Sequence, residues 1–246
     1  MNTLLIWSSH GVTDKGKVRT ANEDAIIHLP ELGLWAVADG MGGHEGGEIA
    51  SQTIVSELGN LTEPHDFNEF MRNAYTAIQR ANQNILDTSA QRFEGKTIGS
   101  TVVVVLAFNN QFGCLWAGDS RAYLLRQNQL IQISKDHSMV QEYVDSGRMT
   151  EEEAENHAMA NVLTRAVGTA PDLEIDHQVG EIHQNDTCVL CSDGLYKELT
   201  VDDIQQILER ESHPQTAGQA LMALALERGA RDNVSVIVIK FQEAFN

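Results

Sequence analysis

Short apolar or alternating stretches recur along the chain, and each is four to seven residues long. Stretches of this length, rich in Val, Ile and Leu and bounded by turn-forming residues, are typical of β-strands. The predicted strands cover residues 26–29, 34–38, 101–107, 112–117, 122–125, 130–133, 173–179, 187–191 and 234–239. A turn over residues 30–33 joins the first two strands into a hairpin.

Longer segments carry apolar residues three and four positions apart, which predicts amphipathic helices. The apolar positions of the first are Ala50, Ile54, Leu58 and Leu61. Those of the second are Phe67, Phe70, Met71, Ala74, Ile78, Ala81 and Ile85. Two more helices are predicted over about 201–228, and the polar stretch 137–164 is also predicted to be helical.

The order of these elements indicates the fold class. Helices come in pairs between groups of strands and do not alternate singly with them, which argues against a doubly wound parallel sheet. An α+β sandwich of antiparallel strands covered by helix pairs fits the order better. With four prolines and no Pro/Gly-rich linker, residues 1–246 are predicted to form a single domain.

Composition narrows the possible partners. The formal net charge of −18 disfavours nucleic acid and anionic membranes, which bind through Lys and Arg. Cys114, Cys188 and Cys191 are too few, and odd in number, for a disulfide framework, and no second Cys/His pair completes a zinc site. No apolar run approaches the roughly 20 residues of a membrane span, so we expect a cytoplasmic protein.

Aspartates stand where predicted strands meet turns: Asp24, Asp39, Asp119, Asp193 and Asp232. Several carboxylates converging at strand ends repel one another unless cations neutralise them. Oxygen ligands without His or Cys favour Mg²⁺ or Mn²⁺. Taken singly, each of these features also has a purely structural interpretation. An Asp-Gly or Asp-Ser pair is typical of a turn. Glycines 40, 42 and 43 can relax a tight loop, and Arg19 can be a solvated surface residue.

The ordered motifs are G-V-T-D-K-G-K-V-R-T-A-N-E-D (11–24), V-A-D-G-M-G-G-H-E-G-G-E (37–48), G-S-T (99–101), W-A-G-D-S-R (116–121), K-D-H-S (135–138), N-V-L-T-R-A-V-G (161–168), C-S-D-G-L (191–195) and R-D-N-V-S (231–235). Together they closely resemble the bacterial single-domain members of the type 2C protein phosphatase family, over residues 11–239. The resemblance implies a four-layer α-β-β-α sandwich, in which each of two antiparallel sheets is covered by a pair of helices. It also implies a flap beside the active site at about residues 146–160.

The resemblance further implies roles for individual residues. Asp39 is expected to bridge two metal ions, with Asp193 and Asp232 on the first ion and the Gly40 carbonyl on the second. Glu23 and Asp24 would act on the second ion through waters, and Arg19 would grip the substrate phosphate. Asp119, with Asp193, would bind a weaker third ion. Asn233 and Ser192 would support the site from behind its ligands.

Histidine does not supply an obvious general acid. The position that follows Asp-Gly in animal-type relatives is a histidine, whereas this chain has Met41. His44 lies at the start of a predicted helix, and His137 stands in a helix-capping context, so both are interpreted as structural. A metal-bound water is the preferred proton donor.

The implied activity is hydrolysis of phosphoserine and phosphothreonine in proteins, by a hydroxide that bridges two Mn²⁺ or Mg²⁺ ions. The expected partners are phosphorylated proteins, opposing a bacterial Ser/Thr kinase in signal transduction, and a monomer is expected. Alternatives are a pseudophosphatase that binds phosphoproteins, a hydrolase of another phosphoester such as a nucleotide, and a purely structural protein. The presence of Asp39, Asp193 and Asp232 argues against the first.

Overall fold

The computed structural model describes residues 5–43, 45–155 and 157–243. Its strands are β1 (Leu5–Asp14), β2 (Asp24–Leu29), β3 (Leu34–Met41), β4 (Gly99–Ser100), β5 (Val102–Phe108), β6 (Gln111–Ala117), β7 (Arg121–Arg126), β8 (Gln129–Gln132), β9 (Asp176–Glu181), β10 (Thr187–Cys191) and β11 (Val234–Glu243). Its helices are α1 (Glu45–Gly59), α2 (Phe67–Arg92), α3 (Met139–Asp145), α4 (Glu151–Glu155), α5 (Asp193–Tyr196), α6 (Val201–Arg210) and α7 (Pro214–Arg228).

The strands form two antiparallel sheets in the part of the chain that the structure describes. One sheet has the strand order β1-β11-β10-β7-β8, and the other has the order β2-β3-β5-β6-β9, with β4 paired to β3. The longest ladder joins Leu5–Asp14 to Val234–Glu243, so the first and last described strands are neighbours. The predicted antiparallel α+β fold is confirmed.

Three apolar layers explain why the predicted strands appear as continuous hydrophobic runs. In β3, Leu34, Ala36 and Ala38 pack against α1 and α2, whereas Trp35 and Val37 face the other sheet. The same alternation divides β11, where Val236 and Val238 join the α6–α7 layer. Because successive side chains point to opposite faces of a strand, a sheet covered on both faces needs apolar residues at every position.

Local chemistry sets the helix boundaries. The Asp66 side chain accepts a hydrogen bond from the Glu69 N–H and caps α2. Thr200 and Asp203 form a reciprocal capping box at the start of α6. Pro214 begins α7, where its missing N–H has no consequence, and Gly229 follows the last turn with φ 132°.

Some sequence predictions were wrong in extent. Strand β1 was not predicted, because Ser, His, Gly and Thr interrupt its apolar pattern and most of its positions are only half-buried. The strand predicted at 173–179 begins at Asp176, and Leu173 and Ile175 are buried outside it. Within 137–164 only α3 and α4 are helical in the described residues. The described part of the chain contains no helix long and apolar enough to cross a membrane.

Candidate metal centre

The aspartates singled out in the sequence lie together at one end of the sandwich. A cleft of about 390 Å³ opens there and is lined by Asp39, Asp119, Asp193 and Asp232. Asp24 lies beneath the cleft, opposite Asp39 in the β2–β3 ladder and only 5% exposed. The antiparallel strands of both sheets thus bring five carboxylates to the same end of the sandwich.

Asp24 is held by two serine hydroxyls. Ser192 Oγ and Ser235 Oγ each donate to Asp24 Oδ2 at 2.7 Å. Ser192 stands at the N-cap of α5, yet its side chain makes no capping bond because it is directed to Asp24 instead. Burial raises the pKa of Asp24 to about 7, although both hydroxyls oppose the shift and Asp193 adds to it.

Asp39 is fixed through its backbone. Its N–H donates to Thr101 Oγ1 at 3.1 Å, and its carbonyl accepts from the Thr101 N–H at 2.9 Å. Burial raises the pKa of Asp39 well above its usual value, and the neighbouring charges of Asp24 and Asp193 add to the shift. The Asp39 carboxyl is therefore buried within electrostatic reach of the other four aspartates.

Asp119 sits on a tight loop after β6. Gly118 has φ +110°, and its N–H donates to His137 Nδ1 at 3.1 Å. The Tyr196 hydroxyl bonds to Asp119, and the Arg121 guanidinium stacks 3.7 Å from the Tyr196 ring centroid. Burial raises the pKa of Asp119 to about 7, with the Asp193 charge as the next contribution.

Two basic side chains reach the remaining carboxylates. Lys197 Nζ pairs with Asp193 Oδ2, one helical turn away. Arg19 Nη2 pairs with Asp232 Oδ2 at 2.7 Å, and the Arg19 side chain is 56% exposed. Arg19 is thus at the rim of the cleft with most of its surface accessible to a ligand.

Gly40 packs too closely for any other residue. A Cβ at this position would lie 2.6 Å from the Glu23 carbonyl oxygen and closer still to the Gly47 carbonyl. The Gly40 N–H donates to the Glu23 carbonyl at 3.2 Å. A Cβ on Gly47 would in turn overlap the Glu23 carboxylate. The close packing of α1 against Glu23 and Gly40 therefore depends on glycine at both positions.

Asn233 links distant parts of the chain around the site. Its Oδ1 accepts from the Glu23 N–H at 2.8 Å, and its Nδ2 donates to the carbonyls of Lys15 and Ala21 at 2.9 Å each. The loop that carries Arg19 therefore lies against the residue after Asp232. This arrangement fits the supporting role expected for Asn233.

The residues present fit divalent cations. Asp24 Oδ1 and Asp193 Oδ1 are buried and have no hydrogen-bond partner among the described residues, which is costly unless a cation binds them. Within the same residues, no three acidic, His or Cys side chains already form a ligand set around one point. Asp232 and Asp193 are instead paired with Arg19 and Lys197 in this structure.

No histidine lines the cleft in the described residues, whereas Met41 does. His44 lies outside them. The helix-capping context predicted around His137 is confirmed, because its neighbour Ser138 caps α3. The His137 ring supports the Gly118 loop and contacts Asp176 at 3.3 Å.

Sequence reasoning missed five residues around the cleft: Thr101, Asn161, Tyr196, Lys197 and Ser235. Thr101 and Ser235 stood in quoted motifs but had no role attached to them. Lys197 could have been found, since a Lys four residues after Asp193 is an ion-pair spacing on a helix.

The sequence and the fold both match a family of protein phosphatases. The chain matches the family model described as protein phosphatase 2C over residues 16–227, and it belongs to that family. The resemblance inferred from the motifs is confirmed.

Individual relatives carry the name serine/threonine phosphatase. The chain is 35% identical to serine/threonine protein phosphatase PstP of Mycobacterium tuberculosis over 92% of its own length and 43% of that protein's. It therefore spans less than half of the mycobacterial relative. It is 31% identical to serine/threonine phosphatase stp of Listeria welshimeri, with 93% of each chain covered.

Solved structures agree with the fold. PppA, described as a key regulatory component of T6SS in Pseudomonas aeruginosa, has a TM-score of 0.90 at 37% identity, covering 98% of this chain and 100% of the other. The catalytic domain of PstP in complex with two manganese ions has a TM-score of 0.89 at 33% identity, covering 97% and 100%.

Proposed function

We propose that this chain is a protein serine/threonine phosphatase that depends on Mn²⁺ or Mg²⁺. The observation that carries the proposal is the group of five converging carboxylates, two of them with an unpartnered buried oxygen, in a chain of the protein phosphatase 2C family. Oxygen ligands of this kind select hard divalent ions.

Two ions would be held at the core of the cleft. Asp39 would bridge them, Asp193 and Asp232 would complete the first, and the Gly40 carbonyl would serve the second, with Glu23 and Asp24 acting through waters. The placement of Asp39 between Asp24 and the other aspartates supports this assignment. Asp119 and Asp193 would bind a third, weaker ion.

In the proposed reaction, the paired ions would lower the pKa of a bridging water and supply hydroxide for in-line attack on phosphorus. Arg19, exposed at the rim, would bind the phosphate oxygens through its planar guanidinium. Thr101 would hold Asp39 in place during the reaction, and Ser192 and Ser235 would hold Asp24. A water at the site would protonate the leaving serine or threonine oxygen, since Met41 offers no proton.

The direct test uses the purified chain and a phosphothreonine peptide. We expect activity to vanish on exhaustive chelation and to return with Mn²⁺ or Mg²⁺. Asp87 on α2 provides a matched control, because Asp87→Asn makes the same chemical change on an exposed helix surface as Asp39→Asn makes in the cleft. Turnover that survives chelation would overturn the metal mechanism.

A parallel assay with nucleotides tests the alternative that the chain hydrolyses another class of phosphoester. Faster hydrolysis of nucleotides than of phosphopeptides would assign the site to that class. A chain that binds phosphopeptides without hydrolysing them, with both ions in place, would be a pseudophosphatase.

In the cell, we propose a cytoplasmic monomer that opposes a Ser/Thr kinase in signalling, with the kinase or its targets as substrates. The support is the family and the names of its relatives. Phosphoproteomics of a deletion strain is the test. Phosphoserine and phosphothreonine sites that do not change in the deletion strain would contradict this role.

A further inference from the structure

Lys197 is the one lysine among the described residues that line the cleft. It follows α5 directly, so its side chain returns by one turn to the carboxylate of Asp193. The ammonium also donates to Asn161 Oδ1 at 2.7 Å. The side chain is 33% exposed, and the charges of Asp119 and Asp39 attract it as well.

The two oxygens of Asp193 have different surroundings. Oδ1 is buried and without a partner in the described residues, which suits an ion at the core of the site. Oδ2 carries the Lys197 ammonium. A third ion shared by Asp193 and Asp119 would approach a carboxylate that already carries the Lys197 ammonium on Oδ2.

Asn161 gives the ammonium a second partner when it leaves Asp193. This residue directly follows the proposed flap at 146–160, and it also lines the cleft. The lysine can therefore remain bound at one side of the cleft while its place beside Asp193 is taken by another cation.

We propose that Lys197 is an internal cation that competes with the third metal ion for Asp193 and so sets the affinity of that ion. The inference rests on the proposed function. Lys197 acts on the third ion through Asp193 and Asp119, and it is therefore a positioning residue. The third ion binds as the ammonium moves away from Asp193, and the core ions are unaffected because Oδ1 of Asp193 stays available to them.

The test is calorimetric titration of the metal-free protein with MnCl₂, with bound manganese counted independently. Lys197→Met removes the charge and keeps the length of the side chain. Removing a like charge a few ångströms away alters a binding equilibrium by about tenfold or more. We therefore expect two tight ions as before and a third bound at least about tenfold more tightly.

Controls separate the lysine from general charge effects. Arg80→Met makes the same charge change on an exposed α2 residue paired with Glu57, and should leave all three affinities unchanged. Asp119→Ala combined with Lys197→Met should abolish the gain, because the third ion loses its own ligand. Asn161→Ala should weaken the third ion, because the ammonium then loses the partner that holds it away from Asp193.

An unchanged third-ion affinity in Lys197→Met, with two tight ions intact, would overturn this inference alone. Fewer than two tight ions in the unmodified protein would instead overturn the proposed function. Circular dichroism checks the fold of each variant. Should Lys197→Met fail to fold, Lys197→Gln, which keeps a polar group for Asn161, gives the same comparison.

Discussion

The two sides of the cleft differ in the groups that surround their carboxylates. On the β2–β3 side, two serine hydroxyls donate to the Asp24 carboxylate, and Asp39 is held through its backbone N–H by Thr101. On the opposite side, Asp193 and Asp232 pair with the basic side chains of Lys197 and Arg19. Hydroxyl groups stabilise a carboxylate, but they bring no positive charge.

The difference indicates where metal ions matter most. Burial raises the pKa of Asp24 to about 7 and raises the pKa of Asp39 well above its usual value, so a bound ion would stabilise the charged form of both carboxyls. The opposite side has the basic side chains of Lys197 and Arg19, so an ion bound there would displace an existing ion pair. Under the proposed function, we therefore expect tight ions beside Asp39 and a weaker, exchangeable ion beside Asp119.

The largest effect is expected for Asp39→Asn. Loss of a single outer partner of a metal ligand costs 10–100-fold, so losing the bridging ligand should lower turnover by more than about 100-fold. In chelator the variant should be at least as stable as the unmodified protein, because a buried like charge has gone. Thermal melts with and without Mn²⁺ check this. A variant with near-normal turnover would contradict the central position of Asp39.

Arg19→Ala should have the next largest effect. A guanidinium fork to phosphate contributes charge-assisted hydrogen bonds of about 1.5–3 kcal/mol each, so KM for phosphopeptides should rise by about tenfold or more. Both core ions should remain. Arg19→Lys should recover only part of the loss, because an ammonium lacks the fork. Loss of a tight ion on calorimetry would mean that Arg19 supports the metal site instead.

Ser235→Ala removes one of the two hydroxyls that donate to Asp24 Oδ2. We expect the core ion on that side to bind about tenfold more weakly, the lower end of the range for outer partners of metal ligands. Thr76→Ala, on the exposed surface of α2, is a control that also deletes a hydroxyl. Unchanged metal affinity in Ser235→Ala would show that Asp24 does not act on the metals.

Tyr196→Phe should have the smallest effect. It deletes the hydroxyl that bonds to Asp119 and leaves the ring stacked against Arg121. The third ion should weaken by a few-fold, in keeping with the about 0.5–1.5 kcal/mol of an ordinary hydrogen bond, while both tight ions keep their affinity. A manganese titration of turnover measures it. Loss of a tight ion would place Asp119 in the core.

Sequence patterns predicted the parts of the fold and site that depend on short-range order. The strands buried on both faces appeared as apolar runs, and their terminal aspartates were identified from the turns that follow them. Strand β1 was missed because it is an edge strand, whose half-buried positions tolerate Ser, His and Thr.

The missed site residues depend on contacts between distant elements. Ser235 and Asp24 are 211 positions apart, and nothing near either residue indicates that they meet. His137 is a similar case: the cap at its neighbour Ser138 could be predicted from the sequence, whereas the contact of its ring with a loop 19 residues away could not. Short-range patterns do not encode such pairings.

The contacts of Asn233 bear on how the site is assembled during folding. Its amide joins Glu23, Lys15 and Ala21 across 210, 218 and 212 positions, and contacts of such long range form late because the intervening chain must first be ordered. We therefore expect the loop that bears Arg19 to reach its final place only after β11 has docked beside β1. If the proposed activity is correct, it should return during refolding no earlier than the β1–β11 ladder forms.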